Sequence, residues 1–150
     1  MYRSIITGTD GTPTANRAME KAIELARRFG SEIHLVNVAR KAPALAAIDY
    51  EHGGAAVAAE YEEQQANWSR DSIAELEKRL LGEGLSVTGH AVQGDVADSF
   101  LEVADKVGAD LIVVGSRGMR GAGRVLGSIP NTLSHKSPCD ILIVRTDLPT

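Results

Sequence analysis

The chain has 150 residues, a length that suits one domain with a sizeable core. Hydrophobic residues make up 43% and charged residues 24%, as in folded globular proteins and unlike disordered chains. The net charge of −4 argues against a nucleic-acid backbone as the main partner, and the single cysteine excludes an internal disulfide.

Short β-branched runs alternate with longer helical patterns along the chain. The predicted strands cover residues 4–8, 32–38, 85–92, 110–115 and 140–145. The predicted helices run from a turn at 10–13 to a stop at Gly30, then over about 55–81, 96–107 and 128–135. Between Arg40 and Gly54 the pattern dissolves into alanine, proline and glycine, so this segment is predicted to be a loop beside the site.

Helices between consecutive strands require parallel pairing through right-handed crossovers. The sequence therefore predicts an α/β fold in a single domain over residues 1–150. Its core is a doubly wound five-stranded parallel sheet, in the order 3-2-1-4-5, with helices on both faces. Ligands bind such sheets outside the carboxyl ends of the strands, where the winding direction reverses. We therefore expect a site at the loops that follow the first and fourth strands.

The segment from Gly115 to Ser128, after the fourth strand, contains five glycines. Glycine adopts positive φ at little cost, so successive N–H groups can turn inward and form an anion-binding concavity. Ser128 is predicted to cap the next helix, whose N-terminus adds free N–H groups and partial positive charge. With Arg117, Arg120 and Arg124 as counter-charge, the segment indicates a polyphosphate cradle, although a flexible surface loop has the same composition.

The loop after the first strand brings Thr9 and Asp10 to the same edge of the sheet. The Asp10 carboxylate could hydrogen-bond a ribose hydroxyl or a base amine, or help to hold a metal on the phosphates. The alternative is that Asp10 or Thr12 only caps the first helix. Val38, at the end of the second strand, is predicted to supply an apolar wall for a base.

This arrangement resembles the universal stress protein family, whose nucleotide-binding members carry a Gly-x-x-Gly motif followed by Gly-Ser or Gly-Thr. The first motif matches residues 115–118 and the second matches Gly127-Ser128. The spacer from Met119 to Leu126 has eight residues, one fewer than the usual family pattern. The similarity extends over the whole chain, and it includes the aspartate after the first strand and Pro138-Cys139-Asp140 before the last one.

The resemblance implies a function as an ATP-binding, stress-response signalling protein, with Mg²⁺ as an additional candidate ligand. It implies that Asp10 and Val38 hold the adenine and its ribose, and that Val114 and Gly115 flank the nucleotide. Family positions that wrap the ribose and phosphates correspond to Gly118, Gly127, Ser128 and Ile129. Where many members have a bulkier residue this chain has Gly8. Three alternatives remain: slow ATP hydrolysis, binding of AMP or cyclic AMP, and a member that binds no nucleotide.

The resemblance also implies a homodimer joined through the last strand, here Ile141, Leu142, Ile143 and Val144. The residues agree with this, because an apolar edge strand needs protection. No run approaches the roughly 20 apolar residues that span a bilayer, and the N-terminus has no signal-peptide segment. We therefore expect a cytoplasmic protein without a membrane or nucleic-acid partner.

Other candidate residues carry weaker signals. The four histidines are scattered, and none has a partner at metal-ligand spacing. His34 is expected to be a packed or surface residue, and Cys139 a packed one without an evident base. Trp68 is expected to anchor the long second helix to the sheet.

Overall fold

The computed structural model describes residues 1–44, 53–116 and 128–146. Within these ranges five parallel strands form one sheet in the order β3-β2-β1-β4-β5, which confirms the predicted α/β fold. The elements in chain order are β1 (Ser4–Gly8), α1 (Pro13–Phe29), β2 (Glu32–Ala39), α2 (Gly54–Gly82), β3 (Ser86–Gln93), α3 (Val96–Val107), β4 (Leu111–Gly115), α4 (Ile129–Lys136) and β5 (Asp140–Val144).

Two hydrophobic clusters lie on opposite faces of the sheet. Successive strand residues point to opposite faces, so Ile5 belongs to one cluster and Ile6 to the other. Helices α1 and α2 cover the first cluster with residues such as Ala22 and Ile73. Helices α3 and α4 cover the second, where Phe100 and Leu133 are buried. The chain therefore winds outward from β1 in two directions, as predicted.

Local signals in the sequence fix where α1 and α3 begin and end. The Thr12 side chain accepts a hydrogen bond from the Ala15 N–H at 3.3 Å, so Thr12 caps α1. Asp95 caps α3 in the same way through the Asp98 N–H at 3.0 Å. Helix α1 ends at Gly30, whose φ of +67° lies in the left-handed region that glycine adopts readily.

The amino ends of β1 and β4 are joined by one carboxylate. Oδ2 of Asp110 accepts the backbone N–H groups of Arg3 at 2.6 Å and Ser4 at 3.0 Å. These backbone hydrogen bonds lower the pKa of Asp110, because they stabilise its charged form. The contact fixes the start of β1 next to β4, and the register of the two strands then places their carboxyl ends side by side.

Helix α2 packs closely on β3, and this contact corrects one expectation. The buried positions of α2 include Ser69, Ile73 and Leu80, whereas Trp68 is 50% exposed. Adjacent helix residues point about 100° apart, so Trp68 faces away from the line of contact and does not anchor the helix. The expectation for Trp68 was therefore wrong.

Gly89 on β3 is the point of closest approach. A Cβ atom added there would lie 2.2 Å from Cγ2 of Ile73. We expect Gly89→Ala to force α2 away from the sheet and to lower the free energy of unfolding by about 1–3 kcal/mol. Urea denaturation followed by circular dichroism measures this change.

Gly82→Ala is the matched control, because a Cβ atom at Gly82 would meet nothing within 4 Å. The control is expected to unfold within about 0.5 kcal/mol of the wild type. Equal stability of the Gly89 variant and its control would contradict the close packing of α2 on β3.

Candidate functional site

A cavity of about 580 Å³ opens at the carboxyl ends of β1, β2 and β4. It lies where the winding of the sheet reverses, between the loop after β1 and the end of β4. Seven predicted site residues line it: Thr9, Asp10, Val38, Val114, Gly115, Ser128 and Ile129. The fold thus brings together residues that the sequence separates by more than a hundred positions.

The loop after β1 is hydrogen-bonded to β2 and, through Asp10, to the residue that caps α1. The Thr9 N–H donates to the Val36 carbonyl at 2.9 Å, which extends the β1–β2 pairing into the loop. Oδ1 of Asp10 accepts the N–H of Thr12 at 2.8 Å and its Oγ1–H at 2.6 Å. Asp10 therefore braces the residue that caps α1 and is not the cap itself. Its second oxygen, Oδ2, has no partner in the described part of the chain and stays available to a ligand.

The β2 side of the cavity is mainly apolar. Val36, Val38 and Val96 line it together with Phe100 of α3. Gly8 also lines the cavity, and a Cβ atom at Gly8 would lie 2.6 Å from Cζ of Phe100. The Phe100 ring therefore occupies space next to Gly8 that a larger residue would need, and an aromatic ring forms part of the wall.

The opposite side combines the end of β4 with the start of α4. Ser128 occupies the capping position of α4, as predicted, but its side chain makes no capping hydrogen bond. Pro130 stands in the first turn and has no N–H to donate, which removes one of the usual partners of such a cap. The structure thus corrects the predicted capping role of the Ser128 hydroxyl, and Ser128 is one of the residues that line the cavity.

Three other predicted site residues, Arg117, Gly118 and Gly127, lie outside the described residues. So do Arg120 and Arg124, and most of the predicted polyphosphate cradle with them. The described residues on either side, Gly115 and Ser128, both line the cavity, so the two ends of the glycine-rich segment are at the site.

Arg40 and Phe100 line the cavity although sequence reasoning did not assign them to the site. Arg40 follows the end of β2 and is the only basic side chain among the described lining residues. A cation two residues after Val38 was a visible signal, because the end of that strand was already expected at the site. Phe100 gave no such signal, since it fitted the apolar stripe of a helix.

Two of the histidines that are scattered along the sequence lie together in the structure. Nδ1 of His34 and Nε2 of His90 lie 3.1 Å apart on neighbouring strands, a hydrogen-bond distance. His34 is 5% exposed, which confirms that it is packed. Burial is the main cause that lowers the pKa of both imidazoles. The parallel register of β2 and β3 creates this pair, and sequence spacing gave no sign of it.

Cys139 is partly buried, and burial raises the pKa of its thiol. This shift disfavours the thiolate and with it a role as a nucleophile. Among residues 1–44, 53–116 and 128–146 no group of three or more acidic, histidine or cysteine side chains is placed to hold a metal ion. No helix in these ranges combines the length and apolar character needed to cross a bilayer.

The sequence pattern of the Universal stress protein family matches residues 1–145. The chain belongs to this family. A universal stress protein of Mycobacterium tuberculosis is 29% identical over 150 residues, and the match covers 97% of each chain. A solved universal stress protein in complex with cAMP is also 29% identical, with a TM-score of 0.70 over 97% of this chain and 99% of that one.

The universal stress protein UspA from Lactobacillus plantarum is similar in fold, with a TM-score of 0.76 at 19% identity. That match covers 96% of this chain and 98% of the other. The family sequence pattern and the shared five-stranded fold thus agree along nearly the whole chain.

In this universal stress protein we expect the His34–His90 pair to make the free energy of unfolding depend on pH. The folded pKa values lie below those of free histidine, so the unfolded chain binds protons first as the pH falls through about 6.5. The contribution of this pair to the free energy of unfolding is therefore fully present above that pH and is lost as the pH falls below it. Glu32 and Glu77 oppose the shift of His90, and Lys106 adds to it.

We expect the urea midpoint to fall between pH 7.5 and pH 5.5, and to fall less in His90→Gln, which has one titrating ring fewer. His135→Gln, which replaces an exposed histidine on α4, is the control and should follow the wild type. An identical decline in the wild type and His90→Gln would contradict the proposed origin of the effect.

Proposed function

We propose that this protein binds an adenine nucleotide, with ATP as its principal ligand, and acts as a nucleotide-dependent stress-response module. One observation carries the proposal: the cavity at the reversal of the sheet collects Asp10, Val38, Gly115 and Ser128 around one space. Its volume of about 580 Å³ falls within the range of roughly 300–1,000 Å³ typical of small-molecule sites.

The proposed arrangement follows the polarity of the cavity walls. The base lies against the apolar side formed by Val38 and Phe100, with Val114 on the other side of the nucleotide, and a ribose hydroxyl donates to the free Oδ2 of Asp10. The phosphates lie toward Gly115 and the start of α4, where the Ser128 hydroxyl and Ile129 N–H can donate. Residues 117–127, which include Arg117, Gly118 and Gly127, would complete the phosphate site. Mg²⁺, if bound, would be held by the phosphates with Asp10 as the nearest carboxylate.

A second candidate ligand is a nucleotide with one phosphate, AMP or cyclic AMP. The observation that favours it is the cAMP complex of the structure that is 29% identical to this chain. We propose that the eight-residue spacer of the glycine-rich segment, one residue shorter than the usual family pattern, would form a tighter site that suits one phosphate.

Slow ATP hydrolysis is the enzymatic alternative. Asp10 is the only carboxylate among the described lining residues, and it already braces Thr12 through Oδ1. A hydrolase would have to use this same group as the base or metal ligand. Binding without turnover requires Asp10 only to contact the nucleotide, whereas hydrolysis would also require it to act as a base or metal ligand. We therefore propose that ATP acts as a bound signal.

We also propose that residues 1–150 form one nucleotide-binding domain of a cytoplasmic homodimer. β5 is an edge strand, and its residues Ile141, Leu142, Ile143 and Val144 are only half-buried while they pack against the two cores. Pairing of β5 with its copy in a second chain would cover these residues and the free edge.

Isothermal titration of the purified protein with ATP, AMP and cyclic AMP tests the proposed ligand. Asp10→Ala is expected to weaken ATP binding about tenfold or more, because it removes a hydrogen bond to a charged group. Arg40→Gln is expected to weaken it about threefold, and to weaken adenosine binding less. Arg28→Gln, an equal charge change at the far end of α1, is the control and should leave the affinity unchanged. No heat and no thermal shift with any of the three nucleotides at millimolar concentration would contradict the proposal.

Native mass spectrometry tests the dimer and the ligand together. Freshly purified protein is expected at twice the chain mass of 15.9 kDa, with added mass from a retained nucleotide. A single-chain mass at micromolar concentration would contradict dimerisation and leave the ligand proposal to the titration.

A further inference from the structure

A buried polar network joins α2, β2 and the loop that borders the cavity. Asn37 on β2 is 2% exposed and Ser69 on α2 is 1% exposed. Nδ2 of Asn37 donates to the Thr9 carbonyl at 2.5 Å, and its Oδ1 accepts from Oγ of Ser69 at 2.7 Å. Three elements that are far apart in sequence therefore meet at one amide side chain.

The chemistry of the partners fixes the orientation of this amide. The Thr9 carbonyl can only accept a hydrogen bond, so the NH₂ group of Asn37 must face it. The carbonyl oxygen of Asn37 then faces Ser69, whose hydroxyl donates. A buried amide that lost either partner would still carry its desolvation free energy, but no hydrogen bond would offset it. The network therefore favours one arrangement of the Asn37 side chain.

Asn37 is not among the described residues that line the cavity. Residues along a strand point alternately to the two faces, and its neighbours Val36 and Val38 line the cavity. Asn37 instead shares a face with Leu35, on the side covered by α2. The side chain of Asn37 contacts the cavity lining through its hydrogen bond to the Thr9 carbonyl.

Thr9 is held by β2 at both of its backbone groups. Its N–H donates to the Val36 carbonyl, and its carbonyl accepts from Asn37. The peptide bond from Thr9 leads directly into Asp10, and both residues line the cavity. This peptide sets the backbone position from which the Asp10 side chain extends, and the hydrogen bonds of Oδ1 to Thr12 then orient its carboxylate.

We propose that Asn37, oriented by Ser69, is a positioning residue that sets the Thr9–Asp10 peptide for nucleotide binding. The proposal rests on the proposed function, since it assigns a role within the same site. It also makes the placement of α2 part of the site, because Ser69 reaches Asn37 only when the helix is seated on the sheet.

The test uses full-length Asn37→Leu, which keeps the shape of the side chain and removes both hydrogen bonds. We expect its Kd for ATP to rise about tenfold, and that of Ser69→Ala to rise about threefold, because Ser69 acts at one step further away. Ile73→Val is the matched control: it trims a buried α2 residue that packs on β3 and should lower stability without changing the Kd. All titrations are run where circular dichroism shows a folded protein.

A double-mutant cycle separates positioning from general loosening. If Asn37 acts through Asp10, then Asn37→Leu should cost little further affinity once Asp10→Ala is present. Effects that multiply independently, or an Asn37→Leu variant with the affinity of the wild type, would overturn the proposal.

Hydrogen exchange without ligand distinguishes failure of this proposal from failure of the proposed function. We expect the Thr9 and Thr12 amides to exchange about tenfold faster in Asn37→Leu and at the wild-type rate in Ile73→Val. If the wild type binds no nucleotide, the proposed function fails, and this comparison still decides whether Asn37 holds the loop. Unchanged protection in Asn37→Leu would overturn the positioning role.

Discussion

Parallel strands all end at the same edge of a sheet, and here the winding of the chain reverses between β1 and β4. The connection after β1 leaves toward α1 on one face, and the connection after β4 leads to α4 on the other. The cavity opens between the start of α1 and the start of α4, at the carboxyl ends of β1 and β4. Asp110, which ties the starts of β1 and β4, helps to set the register on which this opening depends.

The cavity joins two chemical environments that an adenine nucleotide requires together. One side is apolar and includes Val38 and Phe100, and the other presents the hydroxyl of Ser128 and the start of α4. The polar groups at its rim are positioned by interactions behind the wall: Asp10 by Thr12, and Thr9 by the buried side chain of Asn37. Residues that stabilise the fold thus also position groups that line the cavity.

The sequence was sufficient to predict the fold, because the strands and helices follow local signals. Local signals together with the family resemblance also named seven of the residues that line the cavity. Uninterrupted apolar runs indicated the strands. Thr12 and Gly30, residue types that often flank helices, stand at the two ends of α1. Asp10, Val38 and Ser128 follow from strand ends and helix starts, which pattern alone locates. Residues defined by register could not be predicted in this way: the His34–His90 pair and the role of Asn37 arise only when β2 lies beside its neighbours. The expectation for Trp68 was wrong for a related reason, because a shift of one position along a helix moves a side chain from the buried face toward solvent.

The central claim, that the cavity binds an adenine nucleotide, is tested most directly by following backbone amide resonances during an ATP titration. Saturable shifts are predicted at Thr9, Asp10, Val38, Gly115 and Ile129, with Glu32 and Ser86 at the amino ends of β2 and β3 unaffected. Shifts confined to a different surface, or no saturable shift at millimolar ATP, would contradict it.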